Sequence, residues 1–210
     1  RLPSSVINKK TIEALSCAGA FDEFQIDRSA IFNSAPEIVK FYKSISVNEI
    51  NNQEDMFGRT ETLFLDLNNE QKWDKTEKLM KEYQMLGFYL SGHPLESYKN
   101  DFNRLNLKSF RNIQENETLH ESKSLLLAGT LLSKKEKRSA RGNSYAFLNF
   151  SDLSSIYELV IFESNLRKYR DILKEGASYV LGVDFSINNG MLRGELKNVY
   201  FFKELLKMNI

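Results

Sequence analysis

Among 210 residues the chain has one cysteine, Cys17, and two histidines, His93 and His120. A single thiol builds neither a disulfide framework nor a cysteine-based zinc site, and two histidines exclude a histidine-rich metal site. Cys17, beside Ala18, reads as a small buried apolar residue. An excess of charge is missing too. Lys plus Arg is 29 against 28 for Asp plus Glu, a net charge of +1, so a polyanion can be held only by a local patch. No apolar run approaches the roughly 18 residues of a membrane span, and no signal-type segment leads the chain. We therefore expect a soluble cytoplasmic protein with no membrane partner. Arg1 in place of an initiator Met leads us to expect a piece of a longer chain. There is no Gly-rich phosphate loop, internal repeat or low-complexity tract. Asp22, Glu23, Asp55, Asp66 and Asp152 form no convincing two-metal pair. No Ser or Cys nucleophile is placed to use His93 in its turn before Pro94. The expectation is a chain without catalytic residues, metal or cofactor.

What is present is a core-forming composition, 41% hydrophobic and 27% charged, arranged with two different periods. The first half is helical. Asn8 is a candidate N-cap for a helix carrying Ile12 and Leu15, which closes at Gly19. A short helix covers 27–33. Pro36 suits the first turn of a third helix, whose stripe is Ile38, Val39, Phe41, Tyr42 and Ile45. Residues 46–60 are polar and Asn-rich, a linker in which Met56 and Phe57 stand almost alone. Helical spacing returns over 70–90 with Trp73, Leu79, Met80, Tyr83 and Leu86, until Gly92 and Pro94 break it.

From Leu125 the period becomes two. Strands are predicted over 125–133, 145–150, 157–162 and 179–187, and from Met191 onward. A charged loop at 134–143 joins the first two. A helix carrying Leu166, Tyr169, Ile172 and Leu173, capped by Ser164 or Asn165 and ended by Gly176, separates the third and fourth. Asn188-Asn189-Gly190 is a hairpin turn. Three strands, a helix and a two-strand hairpin in roughly 80 residues is the layout of an OB-fold, five strands closed into a partly open barrel. The fold class is α+β. Its parts are a helical region (1–48), a linker (49–69), a helical connector (70–123) and a five-stranded OB barrel (124–207).

Two segments are candidate binding elements. The loop after the first strand carries Lys134, Lys135, Lys137, Arg138 and Arg141 against one acid, Glu136. In an OB-fold that loop overhangs the binding face, where Lys and Arg neutralise phosphates and exposed aromatics stack bases. Alternation puts Ala146, Leu148 and Phe150 in the core. It leaves Tyr145, Phe147 and Asn149 outward as the platform, with Phe162 and Arg193 as neighbours. The alternative is that the charges are merely solvated and the aromatics pack on the preceding domain. The second element is Gln53-Glu54-Asp55-Met56-Phe57. Two bulky apolar residues in a polar segment either dock on their own chain or enter a partner's pocket, and the residues alone favour the former.

Several strings together resemble one family. Asn8-Lys9-Lys10-Thr11-Ile12-Glu13-Ala14-Leu15 with Ala18-Gly19-Ala20-Phe21-Asp22 is similar to the second hairpin of the tandem helix-hairpin-helix region of the bacterial DNA polymerase III alpha subunits. Gln53-Glu54-Asp55-Met56-Phe57-Gly58 resembles that family's internal sliding-clamp-binding peptide. Leu86-Gly87-Phe88-Tyr89-Leu90-Ser91-Gly92-His93-Pro94-Leu95 closely resembles the stretch before its OB domain. The resemblance covers essentially the whole chain and implies a C-terminal part of a magnesium-using, template-directed polymerase. The catalytic palm, the fingers and the thumb have no counterpart here. It further implies that the hairpin meets duplex phosphates through backbone amides near Gly19, and that Gln53, Met56 and Phe57 anchor the sliding clamp (beta subunit). The barrel would contact single-stranded template DNA, and other replicase subunits would bind the full-length protein. The rival readings are a free-standing single-strand-binding protein and an adaptor whose barrel face binds protein.

Overall fold

The computed structural model describes residues 6–51, 67, 72–121 and 123–208. The chain forms two compact units, Arg1–Ser91 and Gly92–Ile210. The division thus falls inside the 70–123 segment that reads as a single connector in the sequence. Residues 53–57, the clamp-type peptide, lie outside the described residues.

The first unit is helical. Helix α1 (Lys9–Cys17) starts at Asn8, whose side chain accepts from the Thr11 N–H at 3.0 Å. It ends by returning the Gly19 and Ala20 amides to the carbonyls of Ser16 and Leu15, both at 3.0 Å. This double closure uses a left-handed residue, and Gly19 has φ +77. The glycine is also needed for space, because a Cβ there would meet the Arg28 guanidinium and sit 2.7 Å from Asp22 Oδ2. The Gly19 and Ala20 amides are therefore spent on the helix end. They are not free to receive a phosphate, a correction to what the resemblance implies for them. Helix α2 (Arg28–Asn33) is capped by Asp27, and Ile12, Ile31 and Ala35 form the core. Helix α3 (Ala35–Asn51) runs past the expected end at 48, since neither Gly nor Pro interrupts 46–51.

Helix α4 (Lys75–Leu86) is capped by Asp74 and closed by Gly87. It presents Glu82, which is wholly buried. The Glu82 carboxylate accepts from the amides of Leu90 (3.1 Å) and Ser91 (3.0 Å) and from Ser91 Oγ (2.8 Å). Arg28 stands 3.7 Å away, shared with Asp22 at 2.5 Å. The Asp22 carboxyl is held below the usual range because it accepts hydrogen bonds from Arg28.

The second unit is a closed barrel with strand order β1-β2-β3-β5-β4. Its strands are β1 (Leu125–Arg138), β2 (Ser144–Ser151), β3 (Ile156–Phe162), β4 (Ser178–Asn188) and β5 (Met191–Tyr200). All neighbours are antiparallel except β3 and β5, whose parallel seam pairs Leu159 with Gly194 and Val160 with Glu195. Gly194 permits that seam, since a Cβ there would lie 2.5 Å from Leu159 Cδ2 and 3.0 Å from Phe185. Five strands closed in this order, with a helix between the third and fourth, are an OB-fold. The interior holds Leu127, Leu131, Leu148, Phe150, Leu159 and Leu181 among others. On the outer side of β1 and β4, Leu95, Leu105, Ala128, Val180 and Phe202 form a second cluster. It is supplied by the short helix α5 (Asp101–Arg104), its flanking turns and a terminal helix, α8 (Phe202–Met208). Helix α8 is not expected from the sequence, where the fifth strand ends the barrel. Helix α6 (Phe110–Glu115) is tied to the β2–β3 turn by Asp152, which accepts the Phe110 amide at 2.7 Å.

Three sequence expectations change here. The basic segment is not a loop from 134 to 143. β1 continues to Arg138, paired through Arg138 and Ser144, and only 139–143 turns. Four basic residues and Glu136 run there without a Gly or Pro breaker, and a partner strand converts such a run into ladder. Helix α7 (Glu163–Tyr169) takes Phe162 as N-cap with no side-chain cap, instead of Ser164 or Asn165. It also stops before Ile172 and Leu173, and Gly176 lies in the turn that follows it.

His93 shows how the connector is fastened to the barrel. Its Nδ1 accepts from the Leu95 amide at 3.1 Å, so Nε2 carries the proton and donates to Ser151 Oγ at 2.9 Å. Burial pushes its pKa below the ordinary value, with Asp152 and Glu96 pulling the other way. The folded unit thus binds this proton less readily than the unfolded chain does. Its contribution is complete above about pH 6.5 and is lost as pH falls through the lowered folded value. Urea midpoints at pH 7.5 and 5.5 are expected to differ more for the native chain than for His93→Gln. The limit is about 1.4 kcal/mol per pH unit for one proton; equal differences would show that His93 is not the titrating group.

Candidate nucleic-acid interface

Alternation along β2 is as the residues require. Ala146, Leu148 and Phe150 are fully buried, and Tyr145, Phe147 and Asn149 point outward. The register builds a ridge from three strands. One row crosses Lys137, Tyr145 and Phe162; the next crosses Lys135, Phe147 and Val160. Phe162 is half exposed. Tyr145 and Phe147 meet edge to face, with centroids 5.5 Å apart, and the Lys137 ammonium lies 5.0 Å from the centre of the Phe147 ring. Exposed rings and ammonium groups thus share one surface. A ring face is a stacking platform for any base, and an ammonium beside it can neutralise the adjoining phosphate.

The five basic residues do not form one patch. Because β1 is a strand there, Lys135 and Lys137 lie on the ring side while Lys134 and Arg138 lie on the other. Lys134 Nζ donates to the Arg170 carbonyl at 3.0 Å and stands 3.9 Å from Glu136, which in turn pairs with Arg170 at 2.8 Å. Arg141 sits in the exposed turn. Arg193 is also apart from Phe162. Counting from the seam pair Val160 and Glu195, Arg193 falls level with Glu158, while Phe162 lies two residues beyond the pair in the opposite direction. Asn149 donates to Ser133 Oγ at 3.0 Å, and Glu158 stands across from it, so the ridge turns acidic away from the turn.

Next to Tyr145 and Phe162 a cleft of about 890 Å³ opens between the β1–β2 turn and the start of α7. Its polar lining includes Asn143, Ser144, Ser164 and Arg167. Sequence reasoning missed these residues because they come from two segments twenty positions apart. The only available signal was that the turn and the helix start must meet at the same end of the barrel. Among the described residues no group of three or more His, Cys, Asp or Glu side chains is placed to hold a metal, and no helix is long and apolar enough to cross a membrane.

No family model matches the sequence. Individual relatives do. The chain is 30% identical over 207 residues, 98% of its length, to DNA polymerase III subunit alpha of Rickettsia prowazekii. It is 28% identical over 198 residues, 92% of its length, to the subunit of Caulobacter vibrioides. The chain matches a part of DNA polymerase III subunit alpha. It spans 17% of the length of either relative, and the matched stretch includes both units described above. Among solved structures, the yeast mitochondrial single-stranded DNA binding protein Rim1 aligns at 19% identity. It covers 39% of this chain and 95% of that one, with a TM-score of 0.35. The SSB domain of a Synechococcus protein aligns at 13% identity, covering 38% and 94%, with a TM-score of 0.33. Strand order and closure make the barrel an OB-fold.

Proposed function

We propose that this chain is a non-catalytic portion of a cytoplasmic, magnesium-using replicative DNA polymerase, in which the barrel guides single-stranded template and the 53–57 peptide tethers the enzyme to its sliding clamp. The observation that carries the template reading is the outward ridge of Lys135, Lys137, Tyr145, Phe147 and Phe162 on a closed barrel. Similarity to DNA polymerase III subunit alpha over nearly the whole chain supplies the context. The tether reading rests on the resemblance of Gln53, Glu54, Asp55, Met56 and Phe57 to the family's clamp peptide. Tethering converts rebinding into an intramolecular event at high effective concentration.

The test of the template reading is the salt dependence of single-stranded DNA binding. Lys135, Lys137 and Arg141 contacting two to three phosphates predict a log–log slope of about −1.4 to −2.1, at about −0.7 per phosphate. Lys135→Ala with Lys137→Ala should flatten that slope by about 1.4. Lys134→Ala should leave it unchanged, because Lys134 is turned to Arg170 and Glu136. Tyr145→Ala or Phe147→Ala should lose about 1–3 kcal/mol of affinity without changing the slope. A flat slope in the native chain would sink the template reading and leave an adaptor whose barrel face binds protein.

A further inference from the structure

The ridge alone would hold bases by their faces and treat all four alike, since every base has a stacking surface. The cleft beside it has a different chemistry. Two of its walls, Tyr145 and Phe162, are opposed residues of β2 and β3 and belong to the ridge itself. The rest is polar, and the side chains of Asn143, Ser144 and Ser164 make no hydrogen bond among the described residues. Asn143 is set by its turn. Its amide donates to Ser139 Oγ at 3.1 Å and its carbonyl accepts the Ser139 amide at 2.9 Å. The amide group of its side chain is left for a ligand. Arg167 is at the rim, paired with Glu163 at 3.2 Å and with its side chain 82% exposed.

At about 890 Å³ the open cleft has ample room for a base together with its sugar and phosphate. An amide offers a donor and an acceptor, and each hydroxyl offers both. That set can meet the mixed donors and acceptors of a nucleobase edge, and the rings of Tyr145 and Phe162 beside it offer the stacking surface that a phosphate would not use. We propose that the cleft receives one nucleobase turned out of the single strand. Its face lies against Tyr145 and Phe162, and its edge is read by Asn143, Ser144 and Ser164. Arg167 meets the adjoining phosphate when it leaves Glu163. The proposal rests on the template reading and adds base selectivity to it.

The experiment measures the affinity of the full chain for oligo-dT, oligo-dC, oligo-dA and an abasic strand of equal length, with Asn143→Ala/Ser164→Ala as the variant. The native chain should favour at least one homopolymer over the others by about 5–30-fold, the worth of two neutral hydrogen bonds. The variant should level that preference and keep the salt slope, because neither residue carries charge. Phe162→Ala should weaken every base-bearing strand and leave the abasic strand unchanged. Native binding that is salt-dependent but indifferent to base would overturn the base pocket and leave the template reading standing. So would a preference that survives in the double variant. No single-strand binding at all would overturn both.

Discussion

Replacing Glu82 by alanine is expected to cost the helical unit about 3–5 kcal/mol of stability, the usual result of removing one partner from a buried, hydrogen-bonded charge. The side chain is wholly buried and is the common acceptor for the Leu90 amide, the Ser91 amide and the Ser91 hydroxyl. Truncation leaves these donors without an acceptor, at about 1–3 kcal/mol for each that water cannot reach. It also removes a carboxylate from Arg28, whose other partners include Asp22, the Cys17 carbonyl that ends α1 and, at 3.5 Å, the Ser91 hydroxyl. Trp73, the single tryptophan, packs edge-on against Phe32 in the same unit, so its fluorescence reports this unfolding in the intact chain. Glu82→Gln retains a carbonyl acceptor and should lose clearly less. A loss below about 1 kcal/mol in the alanine variant would mean that water takes the carboxylate's place.

The second large effect concerns the tether. Met56→Ala with Phe57→Ala is expected to weaken binding to a purified sliding clamp by more than about 100-fold. Two buried apolar anchors are each worth about 2 kcal/mol or more at such an interface. Gln53→Ala should lose less, since the part that the family resemblance implies for it is a hydrogen bond. Folding should be untouched, read as unchanged denaturation midpoints. Single-strand binding through the barrel should be untouched as well. Clamp affinity that survives the double change would assign the contact to another surface. Loss of both clamp and DNA binding would point to a folding defect.

The two halves were legible in the sequence to different degrees. Helix ends are readable where single residues make them, as Asn8 and Gly19 do for α1. The helical spacing over 70–90 overshoots both ends of α4, which is capped by Asp74 and closes at Gly87, before the Gly92 and Pro94 breakers. The barrel was readable because a half-buried strand must alternate, and Ala146, Leu148 and Phe150 are inside as that rule demands. The basic run reads as loop from its charge alone, whereas a ladder partner decides: β2 extends far enough to pair Lys135 with Phe147 and Lys137 with Tyr145. Reading it as loop also hides the division of the charges between two faces. Alternation could pick out Tyr145 and Phe147, but the cleft depends on segments that meet only when the barrel closes. For 53–57 the residues by themselves favour docking on their own chain, and only the family resemblance favours the clamp.

The extension of β1 has one more consequence. A sealed cylinder offers no open strand edge to another molecule, but β1 beyond Ser133 is paired with β2 on one side only, so it keeps an unpaired margin. Such margins recruit foreign strands and seed aggregation unless something blunts them. Here the Lys134 amide is taken by Glu175 Oε1 at 3.1 Å, and five successive charged side chains follow along the same stretch. A stranger's strand would have to lie against all of them. Charge set along an open strand margin is a common device against such pairing, and the run Lys134-Lys135-Glu136-Lys137-Arg138 supplies it here.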